Sequence, residues 1–323
     1  MTAFSPGQGG QSDHQVLPGG SCLIRVRGRR AGPTLALLGG VHGDEDEGVL
    51  AVLRVVRELA GIDLSGTVLA VARAHPAAWA AASRTSPLDG ENLARSFPGA
   101  AHAGPTAAVA AGLTSEVLLK ADVLIDLHSA GSRYSMPLFC GFSEGHAASR
   151  ESRTFAEAFG APMIWQHPRP STGRSLSVAA ERGIPSIYAE CSGGGEIRKA
   201  ELDAYVRGVL SVMAANGMVS ERFTRSPAAP AQWVHGTGDL DSGMQSGCDG
   251  LFVTAVGAGA FVQAGAEIGH LYTFDGDEVQ AVCATKAGFV MFLRRQARVR
   301  RGDVLFVMAD ASAENRSGHD RSS

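Results

Sequence analysis

Apolar and polar positions fall into two regimes along this chain, with one change near residue 226. From about residue 33 to 218, short apolar runs alternate with Ala-rich stretches of helical period. Residues 34–38 (Thr-Leu-Ala-Leu-Leu), apolar from Leu35 onward, come before a Gly-rich turn and read as a buried strand. Residues 47–59 then predict a helix, with Val49, Leu53, Val56 and Ala60 on one face. Strands are expected at 67–72, 121–127 and 184–189. Helices are expected at 107–120, 151–159 and 176–182, the last stopped by Gly183. Such alternation predicts an α/β fold: a mixed, mostly parallel sheet flanked by helices.

After residue 226 the pattern becomes all-β. Residues 227–230 read as a linker, and short β segments at 250–253, 259–262, 265–269, 288–290 and 302–305 are separated by Gly turns. That spacing predicts a small β-barrel or sandwich. The stretches 256–271 and 294–309 each set a polar turn between Val or Ile strands, the two-halved pattern of biotinyl and lipoyl carrier domains. Lys286 lies in Ala-Thr-Lys-Ala-Gly, not in the Met-Lys-Met hairpin that carries biotin, so a carrier role is not expected. Shielding a site mouth or supporting assembly fits this region better. The expected organisation is a flexible leader at 1–20, an α/β domain at 21–226, a β-domain at 227–311 and a flexible tail at 312–323.

Composition narrows the function classes. Of 323 residues, 45% are hydrophobic and 19% charged, with a formal net charge of -3. The chain has core material in plenty and no basic block to serve as a footprint for nucleic acid or an anionic membrane. The five cysteines (Cys22, Cys140, Cys191, Cys248 and Cys283) are scattered and form no Cys-x-x-Cys pair. That argues against a disulfide framework or a cysteine metal site and fits a reducing cytoplasm. Residues 1–20 show no charged segment followed by an apolar run, so no secretory signal is expected. A cytoplasmic protein acting on a small molecule is the expectation, with homo-oligomerisation possible.

Four segments carry chemistry. Gly39-Gly40-Val41-His42-Gly43-Asp44-Glu45 follows a strand and precedes a helix, where an open parallel sheet binds its ligands. His42 and Glu45 suit Zn²⁺, although an acidic helix start with an incidental histidine reads equally well from this segment alone. Asp126-Leu127-His128-Ser129 ends another strand, with His128 as a third ligand and Asp126 able to fix its imidazole. Glu190 ends a third strand before a Gly loop, where a carboxylate could act as general base, although this segment alone reads more readily as a helix cap or surface acid. The loop 84–99 sets Arg84 and Arg95 among turn residues, as oxyanion or carboxylate partners or as solvated charge. Arg174 is a further candidate for an acidic group.

Taken in order, these segments resemble the succinylglutamate desuccinylase and aspartoacylase family, a branch of the zinc carboxypeptidase-like hydrolases, over roughly residues 20–310. The resemblance implies one Zn²⁺ held by His42, Glu45 and His128, with Glu190 as general base and Arg84 polarising the scissile carbonyl. It places Arg95 at the substrate carboxylate, with Asn92 nearby. It implies hydrolysis of the amide of a small N-acyl amino acid or related compound. A metallocarboxypeptidase and a non-catalytic relative that binds metal or ligand are the alternatives. Two positions depart from the family pattern. Ala94 stands where the family has Asn, and His75 precedes Pro76 where Asn is usual.

Overall fold

The computed structural model describes residues 11–225 and 229–312. In chain order the first region contains β1 (Gln11–Val16), β2 (Cys22–Arg27), β3 (Arg30–Gly39), α1 (Asp46–Leu59), β4 (Ser65–Val71) and α2 (Pro76–Ala80). Then come α3 (Pro105–Glu116), β5 (Val123–Leu127), β6 (Tyr134–Ser135), β7 (Phe139–Ser143), α4 (Ser149–Phe159) and β8 (Met163–His167). It closes with α5 (Ser175–Glu181), β9 (Ser186–Glu190), α6 (Lys199–Ala215) and β10 (Gln232–His235). The sheet order is β1-β2-β4-β3-β5-β9-β7-β8-β10, continued by strands from the C-terminal region. β4, β3, β5 and β9 are mutually parallel, as are β7, β8 and β10; β7 meets β9 antiparallel. The fold is thus mixed α/β with a large, mostly parallel central sheet.

Alternation along the strands builds a core on each face. Leu35, Leu37, Ile125 and Leu127 pack under α1, α4 and α6. Ala36, Leu38, Leu69 and Leu124 pack on the other side against α3 and α5. The inward face of α1 differs from the expected one. Val49, Val52, Val55 and Leu59 are buried, whereas Leu53 is 37% exposed. Backbone contact sets this rotation. A Cβ on Gly48 would lie 2.4 Å from the Leu127 carbonyl oxygen, so only glycine lets the helix seat there.

Three boundaries also differ. Residues 11–16 of the expected leader are a strand, tied to β2 by Asp13 on Arg25 at 2.8 Å and on Arg27; residues 1–10 lie outside the described residues. The expected linker falls partly on the undescribed residues 226–228. Directly after it, β10 enters the main sheet, parallel to β8 and antiparallel to the last strand. Of the expected tail, Ser312 is buried and 313–323 lie outside the described residues.

The C-terminal region comprises β11 (Met244–Gln245), β12 (Gly250–Thr254), β13 (Phe261–Val262), β14 (Glu267–Tyr272), β15 (Glu278–Cys283), β16 (Gly288–Arg294), β17 (Arg298–Val299) and β18 (Val304–Ala311). β18, β16 and β13 extend the main sheet, and β15-β14-β12-β17 form a second, four-stranded sheet. Phe252, Ile268, Leu271, Val290, Leu293, Leu305 and Phe306 fill the space between the two sheets. The internal repeat is visible in the pairing. β12 pairs with β14 and β17, while β16 pairs with β18 and β13. Phe261, Gly265 and Glu267 recur at identical spacing as Arg298, Gly302 and Val304, and both glycines take left-handed φ, +80° and +88°. A further apolar cluster joins Phe139, Trp165 and Val234 to Met291, Val307 and Ala309, so the two regions share a core. Lys286 lies between β15 and β16, with its ammonium 2.5 Å from Asp310.

Candidate metal centre and active-site cavity

Topology brings the ligand segments together. β3, β5 and β9 are neighbours running in one direction, with Gly39 beside Leu127 and Leu127 beside Ala189. His42 and His128, just past the ends of β3 and β5, and Glu190, the last residue of β9, therefore emerge side by side at the carboxyl edge. The chain leaves β3 towards β4 on one side and returns to β5 on the other, which opens the crevice that open α/β sheets use for ligands. The turn after β3 is tight. A Cβ on Gly43 would stand 2.0 Å from the Ala78 carbonyl.

His42, Glu45 and His128 are buried, with ligand atoms all within 4.8 Å of one another. Glu45 sits between the rings, Oε1 2.7 Å from His42 Nδ1 and Oε2 2.9 Å from His128 Nδ1. The outer ring nitrogens are also held. Asp126 Oδ1 lies 3.3 Å from His128 Nε2, and Ser175 Oγ donates to the other Asp126 oxygen. Asn92 Oδ1 accepts from the Ala94 backbone N–H at 2.9 Å and lies 3.1 Å from His42 Nε2. That oxygen accepts only, so His42 Nε2 is the donor.

The proton on Nε2 leaves a bare Nδ1 if His42 is neutral. Burial, reinforced by Arg84, pushes His42 down to about 4, so it is neutral at pH 7. Its lone pair then faces Glu45 Oε1 across 2.7 Å, and Arg84 Nη1 approaches both atoms, 3.4 Å from His42 Nδ1 and 3.1 Å from Glu45 Oε1. Burial works against ionisation of Glu45, yet His42 and His128 hold it well below the usual carboxylate range. Burial also disfavours the charged form of His128, but Asp126 and Glu45 hold it well above the usual imidazole value. Two imidazole nitrogens and one carboxylate, each ring fixed from behind, fit a divalent ion with room for a further ligand.

The backbone around these side chains is braced by residues that sequence reasoning passed over. Tyr205 of α6 donates to the His128 carbonyl at 2.7 Å. The Ser129 N–H donates to Glu45 at 3.3 Å, and its hydroxyl to Glu47 at 2.8 Å. Helical spacing of Leu202, Tyr205, Val206 and Val209 was the available signal for α6.

A cavity opens beside the triad. Its wall includes Arg84, Ala94, Arg95, His167, Arg174, Tyr188, Glu190 and residues 237–240. One Glu190 oxygen, Oε2, is buried with no hydrogen-bond partner among the described residues. Burial, aided by Glu45 and Asp126 against the pull of His128 and Arg84, raises its pKa well above the usual carboxylate value. Arg84 lies across from it, Nη1 3.1 Å from Glu45 Oε1.

The remaining candidates are placed differently from one another. Asn92 backs His42, as above, and is not on the cavity wall. Arg95 is on the wall, its Nη2 2.6 Å from Asp241. Arg174 is also on the wall, its Nη2 2.6 Å from Asp239, while its Nε is buried and unpartnered among the described residues. Both aspartates come from the C-terminal side of β10, and no local sequence signal marks them. Of the two family departures, Ala94 lines the cavity, but His75 does not. His75 caps α2. Its Nδ1 accepts from Ala78 N–H at 3.5 Å and its Nε2 lies 3.1 Å from Thr106 Oγ1. Histidine thus performs the capping that Asn would perform there.

Comparison with known proteins agrees with this geometry. Residues 31–216, more than half of the chain, match the model of the succinylglutamate desuccinylase/aspartoacylase catalytic domain. The chain is 32% identical over 292 residues to N-alpha-acetyl-L-2,4-diaminobutyric acid deacetylase of Halomonas elongata, covering 89% of this chain and 85% of that protein. The product-bound ectoine utilization protein EutE (DoeB) of Ruegeria pomeroyi matches with a TM-score of 0.84 at 26% identity, over 95% of this chain and 97% of that one. A succinylglutamate desuccinylase/aspartoacylase of Rhodobacter sphaeroides matches with a TM-score of 0.83 at 26% identity, over 97% and 98%. With its strand-end triad, its cavity and its matching sequence in one frame, the chain belongs to the succinylglutamate desuccinylase/aspartoacylase family.

Proposed function

We propose that this protein is a zinc-dependent deacylase that hydrolyses the amide of a small N-acyl amino acid. The observation that carries the reading is the convergence of buried His42, Glu45 and His128, their ligand atoms within 4.8 Å of one another, in the same cavity as Glu190, whose Oε2 has no hydrogen-bond partner among the described residues. The deacetylase of Halomonas elongata, 32% identical, supports the reaction class. His42, Glu45 and His128 would hold the ion. Zinc, when bound, supplies a Lewis acid and lowers the pKa of water towards ~7.

The chain's own groups account for the rest. Glu190 takes a proton from the attacking water and returns it to the leaving amine nitrogen, work suited to a carboxyl whose pKa burial raises well above the usual carboxylate value. Arg84 donates to the carbonyl oxygen as negative charge builds there, worth about 3 kcal/mol for such a donor. Arg95 and Arg174 offer positive charge to the substrate carboxylate on the opposite wall, where Asp239 and Asp241 now hold them. The segment 237–240 closes that wall, which favours a small substrate over a peptide lying in an open groove. We assign the C-terminal region, a small β-sandwich of carrier-like pattern, the role of shielding the site. All five cysteines are free, in keeping with a reducing compartment, and among the described residues no helix is long and apolar enough to cross a membrane.

A substrate panel on the zinc-loaded protein tests the reading. N-acetyl and N-succinyl amino acids should release free amine at rates at least tenfold above C-terminal peptide substrates. Faster cleavage of the peptides would establish the carboxypeptidase alternative instead.

A further inference from the structure

Tyr188 and Glu190 are two residues apart on β9 and face the same cavity, so their side chains stand about 7 Å apart along the strand. The seat of Tyr188 is built for it. Its ring lies edge-on to Phe139 at 5.7 Å and stacks with His167 at 5.7 Å. Across the ladder stands Gly141, where a Cβ would come within 2.1 Å of the Tyr188 ring.

The direction of the Tyr188 hydroxyl proton follows from its neighbours. His167 Nδ1 lies 2.9 Å from the Gly236 carbonyl oxygen, which can only accept, so Nδ1 carries the hydrogen. Burial pushes His167 down to about 4, so the ring is neutral and Nε2 is bare. Tyr188 OH lies 2.7 Å from that nitrogen and therefore donates to it. Its proton is committed to the protein, and the phenol oxygen can meet a substrate only as an acceptor. Among the described residues no donor is hydrogen-bonded to that oxygen. Nearby, the positive charge of Arg174 is already balanced by Asp239 at 2.6 Å.

We propose that Tyr188, locked by His167, is a specificity-determining residue that accepts a hydrogen bond from a nitrogen-borne donor, a protonated amine, on the side chain of the substrate's amine portion. A side-chain carboxylate at the same place would set lone pair against lone pair and be rejected. Loss of a hydrogen bond in a site built for one discriminates strongly against the analogue that lacks it. This inference rests on the deacylase reading for its substrate frame, but the subsite itself is a binding property.

Three Nα-acetyl substrates of matched side-chain length separate the outcomes: 2,4-diaminobutyrate (ammonium), norvaline (methyl) and glutamate (carboxylate). The wild type should prefer the ammonium compound over the methyl one by about 10-fold or more in kcat/KM. Tyr188→Phe should remove that preference by lowering the ammonium substrate alone. His167→Phe keeps a ring in the stack and frees the tyrosine proton to point outward; Gly236 keeps the Trp165 indole N–H at 3.2 Å. It should shift selectivity towards the carboxylate substrate. Equal losses on all three substrates, or no wild-type preference, would overturn the proposal. Calorimetric binding of the three free amino acids gives a readout independent of turnover. If no substrate is cleaved but diaminobutyrate binds in a Tyr188-dependent way, the deacylase reading fails and the subsite stands.

Discussion

Glu190→Gln should keep the fold and the metal while losing activity by about 10²–10⁴-fold in kcat. Gln matches the shape of the carboxyl and fills the same wall, but it cannot take a proton from water. The pH behaviour sharpens the expectation. A base works when ionised, so wild-type activity should rise with pH through the pKa of Glu190. That acid limb should lie above the ordinary carboxylate value of 4.5 because burial raises it. The residual activity of Glu190→Gln should lack this limb. Stability should move the other way. A carboxyl whose folded pKa is raised contributes most below its unfolded pKa, and that contribution is lost as pH rises through the folded pKa. The Gln variant should therefore melt no lower than wild type at pH 8. Amine-release kinetics, metal analysis and thermal melts check the three parts; a variant retaining more than a tenth of wild-type activity removes Glu190 from the mechanism.

Glu45→Ala should bring activity to background and leave the protein without a stoichiometric ion. The substitution takes the shared carboxylate from His42 and His128 and the partner from Arg84. Asn92→Ala should be milder, because Asn92 acts through His42. Metal affinity should fall about 10–100-fold, with kcat restored at saturating zinc and KM unchanged. A KM increase with normal zinc affinity would return Asn92 to the substrate pocket that its position in the sequence suggests. Zinc titrations followed by activity separate the two outcomes.

The parts legible in the sequence are those fixed by local pattern. The run 35–38 is apolar at every step because both faces of β3 are covered, and His42, His128 and Glu190 are recognisable because each stands at or just beyond the end of such a run. Their convergence needed the strand order, which the alternation of strand and helix constrains but does not give. The inward face of α1 was misread because Leu53 and Val49 share a helical stripe, while Gly48, which has no hydrophobicity to reveal it, makes the closest approach. The cavity's far wall was hidden for a different reason. Asp239 and Asp241 reach Arg174 and Arg95 only because β10 joins the main sheet beside β8. Tyr188 was within reach, since period-two alternation puts it on the face of Glu190.

The central claim is that His42, Glu45 and His128 hold a catalytic divalent ion. Its most direct test is a zinc titration of chelator-stripped protein, following amine release from an N-acetyl amino acid. Activity should be absent in the stripped protein and rise in proportion to added zinc, with a break at one equivalent per chain, and His128→Ala should show neither rise nor break. Full activity in protein shown by metal analysis to hold no ion would contradict the account.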